Sequence, residues 1–336
     1  MKNLRLISFT MALSAGWLCA DHILFLAGRT TTVRTSNDEG ATWTVFMTDT
    51  NSGAQLRGLA VDGANGVVFV NDINAGSAAA RPLYAYNAAG APLDTTTFDE
   101  SGVFNQRPIA FWNSFVYQNA GAAGGAAGQC TGLSGFNANV FDNKPLANAN
   151  SGNWQGNDMR LYVADDAAVY CFMNGTSGAN LRRYTVDAGG TFSGTQTITL
   201  DGPTVNNTDF AFSALGRLLV LDAASIWVSA SNNLASTGIA LTPALTFGGT
   251  ENAGAGDLGP NGRDMVLLGN TLYAVTDQNC YKFTLDDEAG TLSFVSAAAH
   301  GFNNTGVQID GVIPEPAVLL PLLLVLGCLE SRQRRD

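Results

Sequence analysis

Short runs of alternating hydrophobic and polar residues recur along this chain, and Gly, Asn and Asp turns separate them. Alternation with a period of two is typical of strands that bury one face. The pattern is clearest between residues 263 and 296, where turn sequences at 269–270 and 286–290 divide the runs. This segment predicts four strands, at Asp264–Leu268, Thr271–Val275, Tyr281–Thr284 and Thr291–Val295. Between the chain ends no helix of useful length is predicted, so the pattern indicates an all-β fold.

The four-strand unit repeats along the chain. One apolar residue marks the first strand of each unit: Leu59, Ile109, Met159, Phe210 and Met265, at spacings of 50, 50, 51 and 55 residues. Four-strand units at such a period are typical of β-propeller blades. The sequence therefore predicts one β-propeller domain of six blades, with seven blades as the alternative, although the length alone would suggest two domains.

The two ends of the domain carry incomplete units. Gly306–Gly311 predicts a first strand with nothing after it, and His22–Leu26 predicts a second strand with nothing before it. Pairing these two segments would complete a blade from both chain ends and cover two strand edges. We therefore expect the N- and C-terminal strands to close the ring in a single blade.

A hairpin sequence follows the N-terminal strand. Ser36, Asp38, Gly40, Thr42 and Trp43 fit the pattern S-x-D-x-G-x-T-W, and the segment 185–192 is a looser copy. In such a turn the aspartate accepts backbone amides, the glycine takes a positive φ and the aromatic ring packs beneath the hairpin. The motif resembles the Asp-box, which sialidases and other propeller families carry at the blade periphery. The resemblance implies a structural role.

The first twenty residues have the pattern of a secretory signal peptide. Lys2 and Arg5 precede an apolar stretch from Leu6 to Leu18, and Ala20 stands before Asp21. We expect cleavage near residue 20, which leaves 21–313 as the mature propeller domain.

The C-terminal segment 314–336 has three parts. Pro314, Glu315 and Pro316 are followed by an apolar run, Ala317–Leu329, and then by three arginines, Arg332, Arg334 and Arg335. This order resembles the PEP-CTERM sorting signal that exosortases process in Gram-negative-type bacteria. The resemblance implies export across the inner membrane, sorting to the cell surface or extracellular matrix, and an exosortase-type enzyme as a partner.

The apolar run also has a physical meaning of its own. Its 13 residues would form a helix of about 20 Å, shorter than the roughly 30 Å hydrocarbon core. The segment and its flanks would hold the chain in the membrane transiently, with the arginines on the cytoplasmic side. The alternative is an ordinary C-terminal transmembrane anchor that is never removed.

Charge and cysteine content limit the classes of partner and the kinds of cross-link that this chain can have. The segment 21–313 keeps 12 basic and 25 acidic residues, a net charge of about −13, which disfavours nucleic acid and anionic membranes as partners. Three cysteines, Cys130, Cys171 and Cys280, allow at most one disulfide within the domain. The absence of a CxxC or Cys/His spacing excludes a structural zinc site, and no cofactor is expected.

Propeller ligands usually lie at the mouth of the central channel, near the starts of the first strands. The charged residues predicted there are Arg57, Arg107, Asp158, Asp209, Arg263, Asp264 and Asp310. Arginines and aspartates around a mouth could bind a carboxylated or hydroxyl-rich sugar. The alternative is that these side chains only solvate the channel and cap the strand ends.

This sequence lacks a complete set of the catalytic residues that propeller enzymes use. The sequence has Arg107-Pro-Ile where sialidases have Arg-Ile-Pro, and only four glutamates lie in 21–313. His22 and His300 fall near the domain ends, and the pairs Asp165-Asp166 and Asp286-Asp287 lack the spacing of a calcium loop. No catalytic residue and no metal ligand is therefore assigned.

Together these features predict an exported binding propeller that recognises extracellular polysaccharide. Two alternatives remain, a carbohydrate-active propeller enzyme (a hydrolase or lyase) and a scaffold that binds another surface protein. Polar loops at Ala120–Gln129, Phe141–Gly156 and Gly248–Gly262 are either flexible excursions or parts of a binding face.

Overall fold

The computed structural model describes residues 22–51, 53–72, 80–99, 109–112, 114–120, 129–141, 159–162, 168–173, 180–186, 192–202, 209–222, 225–230, 238–246, 262–303 and 306–312. Every regular element in these ranges is a β-strand, which confirms the all-β prediction. The predicted signal peptide, the residues Pro314, Glu315 and Pro316, and the apolar run after them lie outside these ranges.

The strands follow the chain in regular succession. The first twelve are β1 (Ile23–Ala27), β2 (Thr32–Ser36), β3 (Thr44–Thr48), β4 (Leu56–Asp62), β5 (Val67–Asp72), β6 (Ala80–Asn87), β7 (Pro92–Asp99), β8 (Ile109–Trp112), β9 (Phe115–Ala120), β10 (Gln129–Asn137), β11 (Val140–Phe141) and β12 (Met159–Tyr162). The others are β13 (Ala168–Met173), β14 (Asn180–Val186), β15 (Phe192–Asp201), β16 (Asp209–Phe212), β17 (Leu218–Leu221), β18 (Ser225–Ser229), β19 (Gly238–Thr246), β20 (Asp264–Leu268), β21 (Thr271–Val275), β22 (Asn279–Asp286), β23 (Thr291–Ala299) and β24 (Gln308–Val312).

Antiparallel groups of four strands make up the fold. Strands β4 to β7, β8 to β11 and β20 to β23 each form a four-stranded sheet, and β24 joins β1, β2 and β3 in another. The groups β12 to β15 and β16 to β19 share one eight-stranded sheet, because Thr199–Asp201 of β15 pairs in parallel with Gly238–Ala240 of β19. The arrangement of four-stranded groups is propeller-like, as the sequence repeat predicted.

Both ends of the domain meet in one sheet. Strand β24 pairs antiparallel with β1, with Ile23 opposite Val312 and Ala27 opposite Gln308. This is the pairing predicted from the two incomplete units. It places a hydrogen-bonded ladder between segments almost 300 residues apart in sequence, so the two chain ends depend on each other for their structure.

One strand of each group lies at the centre and is called an inner strand here: β24, β4, β8, β12, β16 and β20. Each inner strand is an edge strand of its four-stranded group. Strands β12 and β16 are the two edge strands of the shared eight-stranded sheet. Successive inner strands contact each other, β24 with β4, β4 with β8, and so on through β20, which contacts β24 again. The inner strands therefore surround a central channel.

The core lies between neighbouring groups. Leu219 and Leu221 of β17 pack with Leu272 of β21 in one cluster of buried residues. Leu24 of β1 and Tyr273 of β21 belong to another. Strands in the middle of a group face a neighbour on both sides, which is why β17 is buried along its whole length and reads as a continuous apolar run.

The hairpin Ser36–Trp43 has the local geometry that its sequence predicted. The Asp38 carboxylate accepts the Thr42 backbone N–H at 2.8 Å and the Thr42 hydroxyl at 2.6 Å. The hydroxyl bond is the main reason that the pKa of Asp38 is lowered. Gly40 has a φ of 86°, and the Trp43 indole donates to the Gly40 carbonyl at 3.1 Å. In the looser copy, residues 187–191 lie outside the described ranges.

This hairpin also attaches the first sheet to the sheet of β20 to β23. The Glu39 carboxylate pairs with the Lys282 ammonium of β22. Beside it, His22 Nδ1 and the Tyr273 hydroxyl are 2.8 Å apart. The hairpin therefore stabilises the junction between the sheet that holds both chain ends and its neighbour, which is a structural role.

Removing β24 should destabilise the whole domain. Deleting residues 301–313 from a 21–313 protein removes the buried side chains Phe302, Val307 and Ile309 and exposes the edge of β1. We expect a loss of more than about 5 kcal/mol, a fall in Tm of more than roughly 10 °C. Thermal unfolding followed by circular dichroism measures it, with the intact 21–313 protein as the reference. An unchanged Tm would show that β24 does not close the domain.

Alanine at Gly40 should cost more stability than alanine at Gly66. Both glycines have positive φ, at 86° and 63°, so each substitution costs about 1–2 kcal/mol. At Gly40 an added Cβ would also lie 3.3 Å from Cys280 Sγ, whereas at Gly66 the nearest atom is 3.6 Å away. We expect Gly40→Ala to lose about 1 kcal/mol more than Gly66→Ala in urea unfolding. Equal losses would mean that the hairpin is not packed tightly against β22.

Candidate binding site in the central channel

Two aspartates predicted at the channel mouth link successive inner strands. Asp209, at the start of β16, accepts the Met265 backbone N–H of β20 at 2.6 Å. Asp264, at the start of β20, accepts the Ile309 backbone N–H of β24 at 2.7 Å. The two residues are 0% and 3% exposed. Each carboxylate therefore satisfies a buried amide on the next inner strand, as a buried donor requires.

Asp310 makes the same kind of link further along β24. One oxygen accepts the Val61 backbone N–H of β4 at 3.0 Å, and the other accepts the Gly311 backbone N–H at 2.8 Å. Asp310 is only partly buried and lines the channel, unlike the two fully buried aspartates. Of the predicted acidic residues that the structure describes, it is the one whose position allows contact with a small ligand.

The structure places the predicted arginines differently from one another. The Arg263 guanidinium is paired with the Asp277 carboxylate of the β21–β22 turn, through Nε at 2.6 Å and Nη2 at 3.2 Å. Arg57 lies on β4 and is 8% exposed. Arg107 and Asp158 fall outside the described residues. Arg263 and Asp277 together form a charged pair at the end of the channel where β20 begins.

A cavity lies between the inner strands. Its volume is about 260 Å³, and residues of β4, β8, β16, β20 and β24 line it. The residues that line it include Val61, Phe111 and Phe212, and Asp310 is the charged residue among the described lining. The sequence directed attention to the polar strand ends, so this lining was missed. The predicted first strands themselves were the signal that could have indicated it.

His300 stabilises the connection that leads into β24. Its Nε2 donates to the Thr276 carbonyl at 3.1 Å, and its Nδ1 accepts the Phe302 backbone N–H at 3.2 Å. The ring is fully buried. Burial lowers the pKa of His300 to about 4, and the nearby Arg34 guanidinium acts in the same direction. The imidazole is therefore neutral near pH 7 and is used structurally.

The described ranges show neither a metal site nor a membrane-spanning helix. These residues contain no group of three His, Cys, Asp or Glu side chains placed to hold a metal ion. Asp286 and Asp287 accept backbone N–H groups of Ala289 and Leu215 at 2.9 Å each, while Asp165-Asp166 lies outside the ranges. The same part of the chain has no helix long and apolar enough to cross a membrane.

Cys280 is a buried cysteine. Cys280, at the start of β22, is a free thiol, and burial raises its pKa to about 12. A thiol in this environment stays protonated near neutral pH and is a poor nucleophile. Its position beneath Gly40 indicates a packing role.

Comparison with known proteins shows the fold. No protein-family model matches the chain, and no curated protein matches it. One chain in the crystal structure of the nidogen/laminin complex is similar at a TM-score of 0.58 and 14% identity, over 86% of this chain and 97% of that chain. A putative 6-phosphogluconolactonase from Bacteroides uniformis is similar at 0.52 and 12%, over 85% of both chains.

A named propeller is also among the similar structures. The WD40 β-propeller domain of Doa1 has a TM-score of 0.50 and 11% identity, over 87% of this chain and 89% of that chain. The architecture of this chain is that of a propeller. Because these identities are so low, the similarities carry the fold alone and not the activity of any of these proteins.

Protonation of His300 should destabilise the domain at low pH. Its folded pKa of about 4 lies below the ordinary value of 6.5, so the unfolded chain binds the proton more readily between these values. The free energy of unfolding should be highest above pH 6.5 and should fall by roughly 3 kcal/mol as the pH is lowered to 4. Urea unfolding at pH 7 and pH 4 measures the change.

In the variant His300→Asn the free energy of unfolding should change much less between pH 7 and pH 4, because position 300 then carries no imidazole that can be protonated. His22→Asn is the matched control, since it removes the other histidine of the 21–313 region. If His300→Asn and the unchanged protein lose equal stability between pH 7 and pH 4, His300 is not the group responsible.

Proposed function

We propose that this chain is an exported, surface-sorted β-propeller of six blades that binds extracellular material, with polysaccharide as the ligand class. The count of six is supported by the inner strands, which contact one another in a cycle from β24 through β4, β8, β12, β16 and β20. The pairing of β24 with β1 supports closure of that cycle in a blade made from both chain ends.

The structural role of the inner-strand aspartates is the observation that favours binding over catalysis. Asp209 and Asp264 are buried and accept backbone amides of the next inner strand. A general acid or base must reach the substrate with an exchangeable proton. Carboxylates that link the strands favour a rigid scaffold whose outer surface does the recognition.

The end of the channel where the inner strands begin is the proposed binding face. Arg263 and Asp277 lie there as a charged pair. Arg107 stands two residues before the start of β8 in the sequence. A planar guanidinium can bind carboxylate or hydroxyl groups through paired hydrogen bonds, which suits an acidic or hydroxyl-rich polysaccharide. The negative charge of the whole chain, −11, disfavours nucleic acid as the ligand.

Export and sorting rest on the two terminal segments. The signal-peptide pattern of residues 1–20 and the Pro-Glu-Pro, apolar and arginine order of 314–336 support delivery to the cell surface. Their partner is an exosortase-type enzyme that processes the C-terminal segment. The membrane contact is a transient one during that processing.

Purified 21–313 protein should co-sediment with the extracellular polysaccharide of its own host without cleaving it. The measurements are the bound fraction and the release of reducing or unsaturated ends, against a heat-denatured sample. Replacing Arg107 and Arg263 by glutamine should weaken binding about tenfold, through the loss of charge-assisted hydrogen bonds.

Arg217→Gln is the matched control, because Arg217 lies in the β16–β17 turn at the far end of an inner strand. This variant should keep full binding. Steady release of new ends would identify a hydrolase or lyase and overturn the binding proposal. Neither sedimentation nor cleavage would point to a surface protein as the partner.

A further inference from the structure

Strand β23 has an outer edge that no other described strand covers. It pairs with β22 from Thr291 to Ala299 and stands at the end of its four-stranded sheet. The strand is nine residues long and contains no charged residue and no proline. Proteins usually protect an exposed edge with lysine, proline or a very short strand, because a bare edge can pair with another chain. The outer edge of β23 is therefore open to a further strand.

Among the described strands, the outer strands of the other groups are shorter, charged or paired. Strands β3 and β11 have five and two residues. Strand β7 contains Pro92, Asp94 and Asp99. Strands β15 and β19 pair with each other through residues 199–201 and 238–240. That contact shows that outer strands of this fold can join edge to edge, and it leaves β23 as the long outer strand whose edge is neither blocked nor paired.

Strands β3, β7, β19 and β23 each carry one extra residue where the register of pairing shifts. In the first three strands this residue is Phe46, Leu93 or Ala244, and it packs against a buried cluster that includes the next group of strands. In β23 the extra residue is Val295, which is 48% exposed. At that junction the partly buried residue packed on the cluster is Trp43 of the Ser36–Trp43 hairpin. The hairpin residue packs there, and Val295 remains at the surface.

Val295 adjoins a second exposed apolar side chain. Phe294 lies edge-on to the Phe283 ring, with 6.0 Å between the ring centroids, and is 37% exposed. Ser293 and Ser296 on either side are exposed and uncharged. Association that covers Phe294 and Val295 would remove apolar surface from water without removing a charge from it. This patch favours a partner that brings an uncharged strand of its own.

The charges at the two ends of β23 determine the orientation of a pairing strand. Asp286 and Glu288 are exposed in the turn before β23, while Asp287 between them is held in an ion pair. Past the other end of the strand, the Arg34 guanidinium lies against Gly301. An antiparallel copy of β23 would bring the acidic end of one chain beside Arg34 of the other, whereas a parallel copy would bring like charges together. The strand is therefore complementary to an antiparallel copy of itself.

We propose that two copies of this chain pair through β23, edge to edge and antiparallel about a two-fold axis, to form a homodimer. Two-fold interfaces of this kind use the same surface on both copies. The pairing joins two four-stranded sheets into one sheet of eight strands, as the contact of β15 with β19 does within the chain. It covers Phe294 and Val295 of both copies. The proposal does not depend on the polysaccharide-binding function, because β23 is an outer strand and lies away from the channel.

Sedimentation velocity of the purified 21–313 protein tests the proposal, since residues 22–313 form one compact unit. A single pair of strands is a small interface, so we expect a reversible dimer with a Kd below about 100 μM. A protein that is still monomeric at about 300 μM would overturn the proposal.

Lysine in the middle of the strand locates the interface. Val295→Lys should raise the Kd about tenfold or more, because two ammonium groups would then meet near the two-fold axis. Val45→Lys is the matched control, since Val45 is 58% exposed on the outer strand β3. The Kd of this control should stay within about twofold of the unchanged protein. Equal weakening by both variants would overturn the assignment of the interface to β23.

A second variant keeps the location testable if Val295→Lys does not fold. Ser293→Lys adds the same charge at another exposed position of β23. It should also weaken the dimer about tenfold, and the Tm reports whether the fold is kept. Undiminished dimerisation of a folded Ser293→Lys protein would place the interface elsewhere.

Reversal of one charge tests the antiparallel orientation. Glu288→Lys places an ammonium group beside Arg34 of the second copy, so it should raise the Kd about fivefold. Asp201→Lys is the matched control, because it makes the same change of charge at an exposed position on β15. The control should keep the Kd within about twofold. An unchanged Kd for Glu288→Lys would overturn the antiparallel arrangement.

Discussion

The structure depends on how the inner strands satisfy their hydrogen bonds. Each one pairs with a neighbour in its own group along one edge, while the other edge faces the channel. A backbone amide buried there must find an acceptor. Asp209, Asp264 and Asp310 supply it across the gap to the next inner strand. At the centre of the fold, side-chain carboxylates thus accept backbone N–H groups. Within each group, the carbonyls of the paired strand do so.

These hydrogen bonds between inner strands form only if the sheets keep fixed positions around the channel. Packing in the core holds the sheets in those positions. Buried clusters lie between neighbouring groups, such as β16–β19 with β20–β23, and β20–β23 with the sheet that holds both chain ends. The pairing of β24 with β1 adds a hydrogen-bonded ladder between the chain ends. Near that junction His300 stabilises the segment before β24, and the Ser36–Trp43 hairpin is attached to β22 through Glu39 and Lys282.

This construction separates the tasks of the charged residues. Asp209 and Asp264 are committed to the scaffold, whereas Asp310 both links β24 to β4 and lines the cavity. Arg263 is paired with Asp277 at the end of the channel and remains partly exposed. The charged residues are thus divided between links from one inner strand to the next and a pair at the end of the channel.

The sequence by itself indicated the repeat of four-strand units, because alternation of apolar and polar residues is a local property and turn residues mark its ends. Strands β20 and β21 have the bounds that the pattern predicted. The meeting of the two chain ends was also predictable, since an incomplete unit at each end leaves an edge to be covered. Strand β19 was not predicted, and neither was its parallel pairing with β15, because that contact joins two groups.

Only the tertiary structure decided which charged residues serve the scaffold and which face the channel. Asp209, Asp264 and Asp310 look equivalent along the chain, since each stands in a predicted first strand. Their exposure and their partners depend on the next inner strand, whose bonded amide is 56, 45 and 249 residues away in sequence for Asp209, Asp264 and Asp310. The cavity was invisible for the same reason. Its walls come from five separate strands, and no local pattern records how far apart packing will leave them.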